Sequence, residues 1–191
     1  MFFVAPKLFD MDDKELVDGC LLENVIFQEK LYRKYCGKMM GLSLRYVKSR
    51  EEAEDVVQEG FIKVFDHLKN FRFDCPLEGW IARIMVNTAI TFYNRNKKTA
   101  FEEDINNLNE DIGQHYENVG QNLQAQDLLK LINMLPDGYK LVFNMFAIEG
   151  YNHKEISQML GFTENTSKTQ YFKARNYLKK LLEQQYLAEY E

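Results

Sequence analysis

A chain of 191 residues with 46% hydrophobic and 28% charged side chains has the make-up of one folded domain or two small ones, and its apolar content excludes an intrinsically disordered chain. No run reaches the roughly 18 apolar residues of a membrane helix, and MFFVAPKLFD sets its apolar residues ahead of its first lysine, unlike a signal peptide, so a cytoplasmic protein with no direct membrane insertion is expected. Cys20, Cys36 and Cys75 are widely spaced and form no CxxC pair, which argues for core thiols and against a disulfide framework or a zinc site; no metal and no cofactor are expected.

The net charge of −5 is unevenly distributed. Residues 1–98 hold 16 basic and 15 acidic side chains, residues 99–122 none and 6, and residues 123–191 hold 8 of each. The acidic excess therefore sits in TAFEEDINNLNEDIGQHYENVGQN, which has weak periodicity and reads as a solvated, flexible linker. Elsewhere the apolar residues repeat at helical spacing and strand signals are almost absent. The predicted fold class is all-α: two small helical domains, residues 12–98 and 123–187, joined by the acidic linker 99–122.

In EDVVQEGFIKVFDHL the residues Val57, Phe61, Val64, Phe65 and Leu68 recur at helical spacing and form one buried stripe. The opposite stripe holds Asp55, Gln58, Glu59, Ile62 and Asp66. Acids early in this helix complement its macrodipole, but that does not account for an apolar Ile62 beside Gln58, which suggests a contact face. NFRFDCPLEGW then gives a polar loop bearing aromatics, and residues 80–98 carry Arg83, Arg95, Lys97 and Lys98 without an acid.

In the second domain Pro136 opens a helix at its first position, running through LVFNMFAI, and Gly150 closes it in a left-handed conformation. Asn152 and Glu155 form a capping-box pair at the start of HKEISQML, which stops at Gly161. Thr163 caps a long last helix whose apolar face is Tyr171, Ala174, Tyr177, Leu178 and Leu181. Two helices joined by a tight turn containing glycine match a helix-turn-helix. Residues 161–182 carry Lys168, Lys173, Arg175, Lys179 and Lys180 against Glu164, a basic stretch on a helix suited to a major groove. Its early turns also offer Asn165, Thr166, Thr169 and Gln170, short polar groups that reach base edges or phosphates.

EEAEDVVQEGFIKVF, FRFDCPLEGWIARIMVNTA and LPDGYKLVFNMFAIEGYNHKEISQMLGFTENTSKTQYFKARNYL, in that order, resemble an ECF sigma factor, the small two-domain branch of the bacterial sigma-70 family. The resemblance implies a transcription initiation factor whose partners are core RNA polymerase, through its β′ clamp helices and β flap, and promoter DNA, with an anti-sigma protein as a further partner. It places Asp55, Gln58, Glu59, Ile62 and Asp66 against the clamp helices, with Phe61 and Phe65 mainly in the core. Phe71, Arg72, Phe73, Arg83, Asn87 and Arg95 fall where the exposed strand of the −10 element is held, a task that needs a pocket for an extruded base and cations for its phosphates. Trp80, Ile81, Ile84 and Met85 are expected to pack. Thr163, Glu164, Asn165, Thr166, Lys168, Thr169, Gln170 and Lys173 fall on the −35 duplex. Ser167 stands where the family often has valine, which implies a different seat for this helix.

Two other readings are open to the same residues. One is a stand-alone dimeric helix-turn-helix regulator that binds a palindromic duplex by itself. The other is an enzyme, for which the chain offers no phosphate loop, HExxH or GxSxG pattern; an enzyme is not expected.

Overall fold

The computed structural model describes residues 11–100 and 125–188, and among them every regular element is helical. The chain divides into two compact units, Met1–Phe92 and Tyr93–Glu191. The segment expected to be a linker lies, apart from its first two residues, outside the described residues.

The first unit contains α1 (Asp13–Leu21), α2 (Val25–Ser43), α3 (Arg50–His67), a 3₁₀ turn (Leu68–Asn70) and α4 (Leu77–Ala100), which runs past the division at residue 92. Two of the helix starts have a local cause in a capping side chain. Asn24 caps α2 by accepting from the Ile26 N–H at 3.0 Å, and Ser49 caps α3 by accepting from the Glu52 N–H at 3.2 Å. The Glu52 carboxylate reaches back to accept from the Lys48 N–H, just ahead of the cap, at 2.8 Å, so one free donor of the helix and one of the chain entering it are satisfied. An S-x-x-E pattern at 49–52 carries that signal, which periodicity alone passes over.

Val57, Phe61, Val64 and Leu68 are buried as the stripe predicts, and Phe65 is half-buried at its edge. Leu16 and Val17 of α1, Leu31, Tyr35 and Met39 of α2, and Ile81, Met85 and Ala89 of α4 are buried in the same unit. Asp13 at the start of α1 is held to α2, accepting from Lys34 Nζ at 2.8 Å and from the Tyr35 hydroxyl at 2.6 Å. Burial alone would raise its carboxyl, but these two bonds outweigh it and hold the group below its ordinary value.

The second unit contains α5 (Ala125–Asn133), α6 (Asp137–Phe143), a π-helical turn (Asn144–Ile148), α7 (His153–Leu160) and α8 (Glu164–Ala188). Leu131, Ile132 and Leu135 pack with Ala174, Leu178 and Leu181 of α8, and Tyr139, Phe143 and Tyr177 close over them. Tyr171 of the predicted face is half-buried.

Three details depart from expectation. Pro136 is the cap residue of α6, one position earlier than predicted, and the helix does not run through LVFNMFAI as one α-helix. At Asn144 it widens, with the Glu149 N–H bonding the Asn144 carbonyl five residues back. The wider turn brings Asn144 and Met145, neighbours in sequence, to the interior together. Gly150 (φ 77) then ends the element in the left-handed region. The cysteines also divide. Cys20 is buried, and burial pushes its thiol up to about 11, but Cys75 is exposed on the loop before α4 and is no core thiol. Among the described residues no helix is long and apolar enough to cross a membrane, and no group of His, Cys, Asp and Glu side chains has a metal-holding arrangement.

Candidate binding surfaces for protein and nucleic acid

On α3 the stripe opposite the core is exposed at Asp55, Gln58, Ile62 and Asp66, with Ile62 retaining 58% of its surface. Glu59 differs from the others. It is half-buried and accepts from Lys63 Nζ at 2.8 Å, and Lys63 also donates to Thr88 Oγ1 of α4 at 3.2 Å. Its charge is thus partly spent in tying α3 to α4. Sequence reading did not include Tyr32 of α2, which is exposed and packs edge-on to Phe61 with centroids 4.7 Å apart. No spacing rule links residues 29 positions apart on two helices.

The loop between the 3₁₀ turn and α4 holds an aromatic stack. Phe71 is buried, with its ring 5.1 Å from Trp80 and 4.6 Å from Phe73. Phe73 has φ 59 and keeps 45% of its surface exposed. Such a φ is costly for a bulky side chain, and here it lifts one ring to solvent while its neighbour two residues earlier supports it from below. Of the two predicted phenylalanines, then, Phe73 is the surface ring and Phe71 its base. Arg72 is exposed, and so are Arg83 and Asn87, four residues apart on one face of α4. Arg95 is exposed further along α4, past the division at residue 92. Ile81 and Met85 are buried and Trp80 and Ile84 half-buried, so these pack as expected.

The helix-turn-helix follows the predicted caps. Asn152 accepts from the Glu155 N–H at 2.9 Å while Glu155 accepts from the Asn152 N–H at 2.9 Å, a complete capping box. Gly161 (φ 73) ends α7, its N–H bonded to the Ser157 carbonyl at 3.0 Å, and Thr163 Oγ1 accepts from the Thr166 N–H at 3.1 Å to start α8. The Thr163 and Thr166 hydroxyls are also 2.9 Å apart, so both serve the cap.

Beyond the cap, Glu164, Asn165, Lys168, Thr169 and Lys173 are exposed. Glu164 is paired with Lys168 at 2.7 Å, and this bond holds its carboxyl below the ordinary value. Its negative charge is therefore answered from within α8. Gln170 behaves differently: it is half-buried, and its side-chain oxygen lies in the interior against Gly138 of α6 with no hydrogen-bond partner. Phe172, 63% exposed, was absent from the sequence reading. Its spacing from Asn165 and Lys168, i+7 and i+4, puts it on the same face and is the signal that finds it.

Ser167 is fully buried, and its hydroxyl is 2.9 Å from His153 Nδ1. The imidazole stacks on Phe146, centroids 4.3 Å apart and planes at 11°, while Tyr171 lies 4.5 Å from Phe146. Burial, and then the charge of Lys168, hold His153 below its ordinary range, which favours the neutral ring.

A family model described as Sigma-70 region 2 matches residues 31–99, and one described as Sigma-70, region 4 matches residues 125–178. Over 177 residues the chain is 30% identical to the ECF RNA polymerase sigma-E factor of Haemophilus influenzae, an alignment that covers 85% of this chain and 93% of that protein. The chain belongs to the ECF branch of the sigma-70 family. This sigma factor is also 26% identical over 184 residues to the RNA polymerase sigma-H factor of Pseudomonas aeruginosa, covering 90% and 94% of the two chains. In fold it is similar to the sigma factor RpoE of Bartonella quintana, solved in complex with the anti-sigma factor NepR, with a TM-score of 0.51 and 22% identity over 81% of this chain and 96% of that one. The region 2 match takes in α3, the aromatic loop and α4, and the region 4 match takes in α6, α7 and the first half of α8.

Proposed function

We propose that this sigma factor binds core RNA polymerase and directs it to promoters, with a separate surface for each task. The exposed ridge of α3, Asp55, Gln58, Ile62 and Asp66, docks on the polymerase. Phe73, with Arg72, Arg83, Asn87 and Arg95, receives the separated −10 strand. Stacking on an exposed ring suits any extruded base, and the arginines answer the phosphates. Thr163, Glu164, Asn165, Thr166, Lys168, Thr169 and Lys173 of α8 meet the −35 duplex, with Gln170 supporting from below. The domain bounds 12–98 and 123–187 go with this division of labour. No step makes or breaks a covalent bond, so the protein works as an initiation factor in the cytoplasm and not as an enzyme. An anti-sigma protein that covers the α3 ridge is a further expected partner.

The observation that carries this reading is the presence in one chain of a helix-turn-helix and a separate unit that exposes an aromatic ring, Phe73, and the basic side chains Arg72 and Arg83. A stand-alone dimeric regulator would use the first and has no evident need of the second. Reconstitution tests it. Core polymerase with the pure protein is to transcribe from a subset of fragments in a genomic library, and core alone is not. Tight binding of the pure protein to a palindromic duplex, with no promoter-specific transcription in the presence of core, would refute it.

A further inference from the structure

We propose that His153 is a positioning residue for α8: its hydrogen bond to the buried hydroxyl of Ser167 sets how α8 seats on α7, and so which exposed groups of α8 reach the duplex. This rests on the reading of α8 as the duplex-binding helix. His153 is the first residue of α7, and Ser167 lies on the first turn of α8. One bond of 2.9 Å therefore ties together the starting ends of two helices that pack on each other and are linked by the turn at Gly161–Thr163.

The anchor is rigid on both sides. Phe146 holds the imidazole flat against it, with planes at 11°, and Tyr171, one turn further along α8 than Ser167, closes on Phe146 from the other helix. An apolar side chain at 167 would be held by dispersion, which has little directional preference and tolerates sliding. A buried hydroxyl has less freedom, because losing this partner leaves it only a carbonyl of its own helix, as Thr88 uses that of Ile84. Its bond tolerates only a few tenths of an ångström. The next residue, Lys168, and the Glu164 it pairs with point to solvent, so a small rotation of α8 about this anchor redirects the groups that face a groove.

The test uses the full-length protein with core polymerase and a promoter library randomised across the −35 element as the probe. Wild-type holoenzyme is to enrich one −35 motif. His153→Phe keeps a ring on Phe146 but no polar atom, and Ser167→Ala removes the hydroxyl. Each is to flatten that enrichment by about tenfold, the scale of one lost base-pair preference, while core binding stays unchanged. His153→Asn, whose amide can occupy the place of Nδ1, is to stay within about twofold of wild type. The double variant His153→Phe/Ser167→Ala leaves neither polar group unpaired and is to melt near wild type, yet not regain the motif.

Recovery of both melting temperature and motif in the double variant would show that the pair serves stability alone and would overturn the proposal. Single variants that keep the wild-type motif within about twofold would overturn it as well. Where His153→Phe does not fold, the double variant and His153→Asn give the same decision. A wild-type holoenzyme that enriches no −35 motif would instead sink the reading of α8 on which this inference rests.

Discussion

Gly60 of α3 faces the Met85 thioether of α4 so closely that a Cβ at position 60 would collide with the sulfur. The absence of a side chain at 60 is what lets α4, which carries Arg83 and Asn87, lie close against α3, which carries the Ile62 ridge. Gly60→Val is expected to destabilise the first unit by about 1–3 kcal/mol through overpacking. Met85→Ala, which empties the same space, costs about 2–5 kcal/mol alone. Urea unfolding of the double variant is to show a loss smaller than the two added together, since each change relieves the other.

Ile62 is expected to be the energetic centre of the α3 ridge, as an apolar side chain surrounded by polar ones. Ile62→Asp is to weaken association with core polymerase by about tenfold or more while leaving the melting temperature within error, because the residue is exposed in the free protein. Competition against the wild-type protein for immobilised core reads the first, and calorimetry the second. Gln58→Ala is to act in the same direction and less strongly.

Asp13 links pH to the stability of the first unit. Its folded-state carboxyl lies below the ordinary value, so the unfolded chain binds the proton more tightly. The contribution is present in full above the ordinary carboxylate range and is lost as pH falls through the folded value. Asp13→Asn is expected to cost about 1 kcal/mol at pH 7, a figure already discounted for the solvent that reaches the pair. The gap between variant and wild type in thermal melts is to close as the pH is lowered below about 4.

The capping box at Asn152 holds the start of α7 and with it His153. Asn152→Ala is expected to destabilise the second unit by about 1 kcal/mol, and Asn152→Asp or Asn152→Ser is to recover most of that loss. A truncated second unit is not needed for the measurement. Hydrogen exchange on the full chain can read the protection of α7 directly.

Lys173 and Lys168 differ in what they are bonded to before DNA arrives. Lys168 is paired with Glu164, so it must give up or share that pair to meet a phosphate. Lys173→Ala is therefore expected to lower the salt slope of promoter binding by about one, and Lys168→Ala by less. Titration of holoenzyme with the cognate promoter duplex over a range of potassium concentrations gives both slopes.

Local features were the part legible in the sequence. The buried stripe of α3, the capping box at Asn152 and Glu155, the left-handed glycines at 150 and 161 and the Thr163 cap each depend on residues within a few positions of one another. Helix geometry alone relates them, and so the all-α class and the helix-turn-helix follow from spacing. Order and kind of motif together then sufficed for the family. What tertiary structure decided were choices between residues of the same kind. Phe71 is buried and Phe73 exposed because Trp80, on the following helix, covers one of them. Glu59 is drawn from the acidic ridge by a lysine that also reaches α4, and Gln170 turns inward where Gly138 leaves room. The bond between His153 and Ser167 belongs to the same class, since a hydroxyl on an apolar face gains its meaning only from the group that packs opposite it. Backbone periodicity says which side of a helix is buried; it carries no information about what the neighbouring helix will present there.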